Sequence, residues 1–213
     1  GKPVTSIGNN AFSEKTGITR VVLPDSILII YNNAFSGCSS LASITLPQSL
    51  VIIEWNAFYE CSSLTNLKIP DGVTEIGPRA FYGCSSLSAV GLPPGLTEIE
   101  GGLFLDCTSL AGITIPDGVT SIGLSAFQEC KSLNRITIRA QVTSIGENAI
   151  GRHITIYGDV PSAAKDYADA KNIPFVDLAG GIPGDANNDL EVDALDLISL
   201  VDYLVKGTPC PSM

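Results

Sequence analysis

The residues best suited to chemistry lie near the C-terminus. Asp185, Asn187, Asp189, Asp193 and Asp196 occupy positions 1, 3, 5, 9 and 12 of one loop, and the carbonyl of Glu191 stands at position 7. An oxygen-only set of this kind is what a hard cation such as Ca²⁺ requires. Val192 gives the apolar eighth position, and an amphipathic segment, Leu197 to Lys206, follows with Gly207 as its stop. Position 6, where the sharp turn calls for glycine, is Leu190. Leucine at positive φ is unfavourable, so weakened affinity is expected. The same residues also read as an acidic linker and helix without metal.

Other chemistry finds little support. His153 is the single histidine, and no serine-histidine-aspartate set or phosphate-cradling glycine loop accompanies it. Asp25, Asp71 and Asp117 each follow a proline, where a carboxylate solvates a turn. No enzyme is expected. Cys38, Cys61, Cys84, Cys107 and Cys130 recur every 23 residues, in a column that ends at Lys15 and His153. Stacked thiols pointing the same way do not meet the torsion of a disulfide, so they read as small buried hydrophobes. Cys210 stands apart in the tail, either as a reactive thiol or as a partner for a group outside this chain.

That spacing belongs to the whole chain. Leu23, Leu46, Ile69, Leu92, Ile115 and Ile138 open units of 23 residues, and a proline follows each of the first five. Further columns run through Ile7 to Ile145, through Phe12, Phe35, Phe58, Phe81, Phe104 and Phe127 to Ile150, and through Ile18 and Leu41 to Leu133 and Ile156. Within one unit, Leu64, Leu67 and Ile69 fall on one side of an extended run that Pro70 closes. Val51 to Ile53 is a shorter β-prone piece, and Ala57-Phe58 is expected in a compact helical turn. No single coil buries such columns; stacked coils do. The expected fold is a β-rich solenoid with a parallel sheet on its concave face, about 29 Å long over six strand spacings.

Composition agrees. In 213 residues, 45% are hydrophobic, which excludes a disordered chain. No apolar run approaches the ~18–20 residues of a membrane helix. A net charge of −10 argues against nucleic acid as a partner, and half of it falls in residues 185–213.

The unit L-P-x-x-[LV]-T-x-I-x-x-x-A-F-x-x-C-S-S-L-x-x-[IL]-x resembles the BspA-type leucine-rich repeats of bacterial surface proteins over residues 1–158. Ser162 to Val176 resembles the helix-and-strand cap that ends such arrays. Residues 185–213 resemble one half of a dockerin, with Leu190 as the departure and Ala194 and Leu195 in place of the hydroxyl pair common in cellulosomal members. The layout is then a leucine-rich repeat solenoid with its cap over 1–178, a linker over 179–184 and an EF-hand-like loop-helix over 185–213. The resemblance implies an extracellular or cell-surface adhesion module, its signal peptide removed ahead of Gly1. It also implies a second use, assembly onto a cohesin, with the repeats as spacer.

Alternation along the long strand turns twelve side chains outward: Arg20, Val22, Ser43, Thr45, Asn66, Lys68, Ala89, Gly91, Gly112, Thr114, Arg135 and Thr137. Three are basic and none acidic, so the candidate ligands are a host or bacterial surface protein or an anionic glycan. The candidate contacts are Arg20, Ser43, Thr45, Asn66, Lys68, Arg135 and Thr137. Small and hydroxyl residues also simply suit a tight ladder. Trp55, Tyr31, Tyr59 and Tyr82 fall on the opposite, turn-rich side.

Overall fold

The structure is a computed structural model and describes residues 3–180. The loop and helix read at 185–213 lie outside the described residues. The first strands are β1 (Ser6–Ile7), β2 (Arg20–Val22), β3 (Ile29–Ile30), β4 (Ser43–Thr45), β5 (Ile52–Ile53), β6 (Asn66–Lys68), β7 (Glu75–Ile76), β8 (Ala89–Gly91) and β9 (Glu98–Ile99). They continue with β10 (Ser121–Ile122), β11 (Arg135–Ile138), β12 (Ser144–Ile145) and β13 (Thr155–Gly158). Helix α1 (Ala163–Lys171), β14 (Phe175–Asp177) and a 3₁₀ turn, Leu178–Gly180, complete the described chain.

Every pairing is parallel, and the register is the repeat itself. Ser6 pairs with Ile29, Ile52 with Glu75, Arg20 with Ser43 and Asn66 with Ala89, each 23 residues apart. The short strands form one series of rungs, in two sheets, β1-β3-β5-β7 and β9-β10-β12. The longer strands form a second, in the groups β2-β4, β6-β8 and β11-β13-β14. Between β8 and β11 the fifth coil contributes only isolated bridges, Ala89 with Gly112 and Thr114 with Thr137.

Between the ladders lies the core. Phe35, Phe58, Phe81, Phe104 and Phe127 are fully buried and stack ring on ring, with centroids 5.4–5.7 Å apart. Phe12 adds a sixth ring at 5.2 Å but stays 37% exposed, because the first coil has no described coil above it. The turns beside this ladder differ from the helical turns expected there. Ala57 N–H donates to Glu54 O (3.2 Å) and Cys61 N–H to Phe58 O (3.1 Å), while Phe58 N–H crosses to Ala80 O of the next coil (2.8 Å). Amides shared in this way between i−3 carbonyls and a neighbouring coil cannot make the i−4 bonds of an α-helix. Successive tight turns result, and α1 is the one α-helix among the described residues.

The last coil corrects two columns of the sequence reading. Ile156 pairs with Ile136, a step of 20 rather than 23, so it extends the strand column instead of following Leu133. Ile154 takes Leu133's place: it is fully buried, and its N–H closes onto Gly151 O as that of Leu133 closes onto Cys130 O. Gly151 therefore holds the position expected for His153, which is exposed. Helix α1 then covers the open end. The Ser162 side chain caps it by accepting from Lys165 N–H at 3.2 Å, and Ala164 and Ala168 are buried. The Tyr167 hydroxyl accepts from Ile150 N–H (3.3 Å), an amide that in earlier coils pairs with the next coil.

Candidate binding face

The long-strand ladder positions the candidate residues through its pleat. In β4, β6 and β8 the central Ile44, Leu67 and Val90 point inward and are buried, and the flanking side chains are exposed. Of the twelve side chains expected outward, all are exposed except Thr137, which is half-buried.

A groove of about 640 Å³ runs over four coils of this face. Asn66, Lys68, Arg135 and Thr137 line it together with Ala89, Gly91, Gly112 and Thr114. Arg20, Ser43 and Thr45 share the face on β2 and β4 but stand outside the groove. Asp117 and Arg139 also border the groove and were not among the expected contacts. Arg139 stands just past the end of β11 and Asp117 past the isolated bridge at Thr114, where two-residue alternation no longer applies. A proline followed by a charge at that edge is the signal that could have found Asp117.

Charge is unevenly balanced along the groove. The Arg139 guanidinium donates to Asp159 at 3.1 Å, and the other oxygen of Asp159 accepts from Ala140 N–H at 2.7 Å. Lys68, Arg135 and Arg20 make no ion pair among the described residues. The floor is open for a different reason. A Cβ added at Gly91 or Gly112 would meet nothing within 4 Å, and neither glycine has a positive φ. Neither packing nor backbone conformation requires glycine there; its effect is to leave the groove clear.

The remaining candidate groups are structural. All five column cysteines are free and buried, and burial raises their thiol pKa values, that of Cys130 to about 12. Each thiol donates to a phenylalanine carbonyl in the preceding coil, as Cys107 does to Phe81 at 3.1 Å. His153 Nε2 lies 3.1 Å from the carbonyl oxygen of Cys130, not from its thiol. No group of three or more histidine, cysteine or acidic side chains suited to a metal occurs among the described residues. The expected calcium ligands, Asp185, Asn187, Asp189, Glu191, Asp193 and Asp196, lie outside those residues. On the turn side Trp55 is 46% exposed, and Tyr59 and Tyr82 stack on each other at 4.7 Å.

Six copies of the BspA-type leucine-rich repeat region match residues 5–130 and 52–157. The chain belongs to this family. Among solved structures, a leucine-rich repeat protein of T. pallidum shares 31% identity at a TM-score of 0.69, over 83% of this chain and 80% of that one. A leucine-rich repeat protein of Bacteroides ovatus shares 24% identity at a TM-score of 0.52, over 81% of this chain and 55% of that one. No curated protein matches the chain. BspA-type repeats are a non-enzymatic kind, consistent with a repeat-based binding module, and no helix among the described residues is long and apolar enough to cross a membrane.

Proposed function

We propose that the chain is a non-catalytic adhesion module, displayed outside the cell or on its surface, that takes an acidic segment of a partner protein in its long-strand groove. The observation that carries this is the pairing of unpartnered cations, Lys68 and Arg135, with a floor that Gly91 and Gly112 leave bare. Cations along a groove steer an acidic partner and set its register. The bare floor lets an extended backbone approach the sheet. Such binding is tested with fluorescein-labelled decaglutamate as probe and a heparin fragment in a second arm. Lys68→Ala/Arg135→Ala should remove most binding and most of its salt dependence. Gly91→Leu should block the floor while leaving thermal stability unchanged. Binding of heparin alone would reassign the ligand to an anionic glycan.

The tail supports a second role. The loop from Asp185 to Asp196 carries a donor set suited to Ca²⁺, and its dockerin-like pattern favours attachment to a cohesin, with the repeats as spacer. Ala194 and Leu195 argue against carrying over the partner choice of cellulosomal members.

A further inference from the structure

The short-strand side of the solenoid carries a second surface, opposite in character to the groove. We propose that this side, from β3 to β9, docks a partner-protein segment in which apolar residues are followed by basic ones. The apolar part lies on Leu28, Val51 and Trp55, and the basic part meets Glu75 and Glu98. This surface is separate from the long-strand groove and does not rest on it.

The fold does not require the apolar half. Leu28 and Val51 are 43% and 39% exposed, and the ladder joins them, Val51 N–H donating to Leu28 O at 2.8 Å. Beside them Ile29 pairs with Ile52, both half-buried, and Tyr31 and Trp55 follow on the same two coils. Later coils build the same rungs from polar residues. The place of Leu28 and Val51 passes to Thr74 and Thr97, and that of Ile29 and Ile52 to Glu75, Glu98 and then Ser121. Threonine and serine serve the ladder equally well, so the exposed leucine, valine and tryptophan are additional to it. Contiguous apolar surface of this kind marks an interaction site.

The acidic half adjoins it. Ile52 is level with Glu75, and Glu98 holds the same position one coil further on. Strands about 4.8 Å apart bring these carboxylates side by side, an arrangement that like charges oppose. Glu75, Glu98 and the nearby Glu100 make no ion pair among the described residues. Glu54, inside the apolar half, is occupied differently: it accepts from Asn32 N–H at 3.2 Å. Between residues 26 and 101 the only cations are Lys68, on the long-strand face, and Arg79, in the turn beside Gly102. A cation for these carboxylates has to come from outside.

Charge and size together specify the occupant. The acidic half repels anionic lipid and also the acidic segment that suits the groove. A purely apolar partner would leave carboxylates desolvated and unpaired. Two coils of each kind, at about 4.8 Å a step, make a strip about 20 Å long, which six extended residues at about 3.3 Å each span. Leucine-like residues followed by lysine or arginine match it. With both faces filled, one molecule holds an acidic and a basic partner at once.

Trp55 is the single tryptophan of the chain, so its emission reports on this face alone. In the first readout, a hexapeptide of leucines followed by lysines should shift that emission to the blue, and leucines followed by glutamates should not. In the second, the affinity of the fluorescein-labelled leucine–lysine peptide is read by anisotropy. Leu28→Ser/Val51→Ser should weaken binding about tenfold through the apolar area it removes. Glu75→Gln/Glu98→Gln should weaken it several-fold and remove most of its salt dependence. All four residues are exposed, so melting temperatures should be unchanged; if one falls, the Trp55 shift in the parent decides. Emission unmoved by the leucine–lysine peptide, or equal affinity in parent and both variants, overturns the proposal. An equal shift from the leucine–glutamate peptide overturns it too, because the acidic half then selects nothing. A shift produced without peptide, by dimer formation in sedimentation or by phosphatidylcholine vesicles, also overturns it and assigns the apolar half to a second copy or to lipid. None of these results alters the decaglutamate test of the groove.

Discussion

The thiol of Cys84 donates to the backbone carbonyl of Phe58 at 3.2 Å, so a cysteine in one coil is tied to the aromatic ladder of the coil before it. Cys61, Cys107 and Cys130 repeat the contact at 3.1–3.2 Å. Each sulfur thus fills space and adds a second hydrogen bond to a carbonyl that already accepts a backbone amide, as Phe58 O does from Cys61 N–H at 3.1 Å. Burial pushes the Cys84 and Cys107 pKa values well above the ordinary range, removing the thiolate that oxidation and alkylation need. In the folded chain at pH 8, at most one of the six thiols should react with a thiol reagent. In denaturant without reductant, at least five should. A denatured count near zero would mean that the column is bridged.

The phenylalanine ladder carries the stacking. Phe81 sits between Phe58 and Phe104, with centroid distances of 5.5 and 5.7 Å. Phe81→Ala leaves a cavity walled by rings that cannot collapse, and should cost about 3–5 kcal/mol in denaturant unfolding. An unchanged midpoint would contradict a continuous core.

One carboxylate works against stability. Partial burial, and then the neighbouring Glu98, hold the Glu100 carboxyl above the usual carboxylate range. An acid whose pKa is raised in the folded state disfavours folding at neutral pH, and the penalty is relieved as pH falls through the raised value. Glu100→Gln should therefore raise Tm at pH 7, and the gain should shrink toward pH 4. A lower Tm at pH 7 would show that the Glu98–Glu100 contact is stabilising.

The period of 23 residues made most of this legible in the sequence. Identical columns have one packing solution, so the Phe58 position, the inward Leu67 and the outward Lys68 follow from repetition and pleat alone. Three features escaped that reading. The shortened last coil moves Ile156 beside Ile136, because the chain must swing into α1, and a fixed period cannot register a deletion. Arg139 and Asp117 border the groove from beyond β11 and the Thr114 bridge, where facing depends on the turn and not on alternation. Left-handed backbone at Glu14, Glu60, Asp106 and Glu129 also went unread, since acidic residues do not announce positive φ as glycine does at Gly37 and Gly83.

The acidic loop gives a separate expectation. Calorimetric titration of chelator-stripped protein with Ca²⁺ should show binding weaker than that of a glycine-containing hand, and Leu190→Gly should strengthen it. Asp185→Ala should abolish it. No heat, and no chelator-sensitive change in helix content up to millimolar calcium, would reduce residues 185–213 to an acidic linker.

The most direct measurement of the groove's role is an amide NMR map of the chain titrated with decaglutamate. The account predicts shifts confined to the long-strand face over four coils, largest at Gly91, Gly112 and Thr114, and lost in Lys68→Ala/Arg135→Ala. Shifts centred instead on the turn side around Trp55, or unchanged in that double variant, would contradict it.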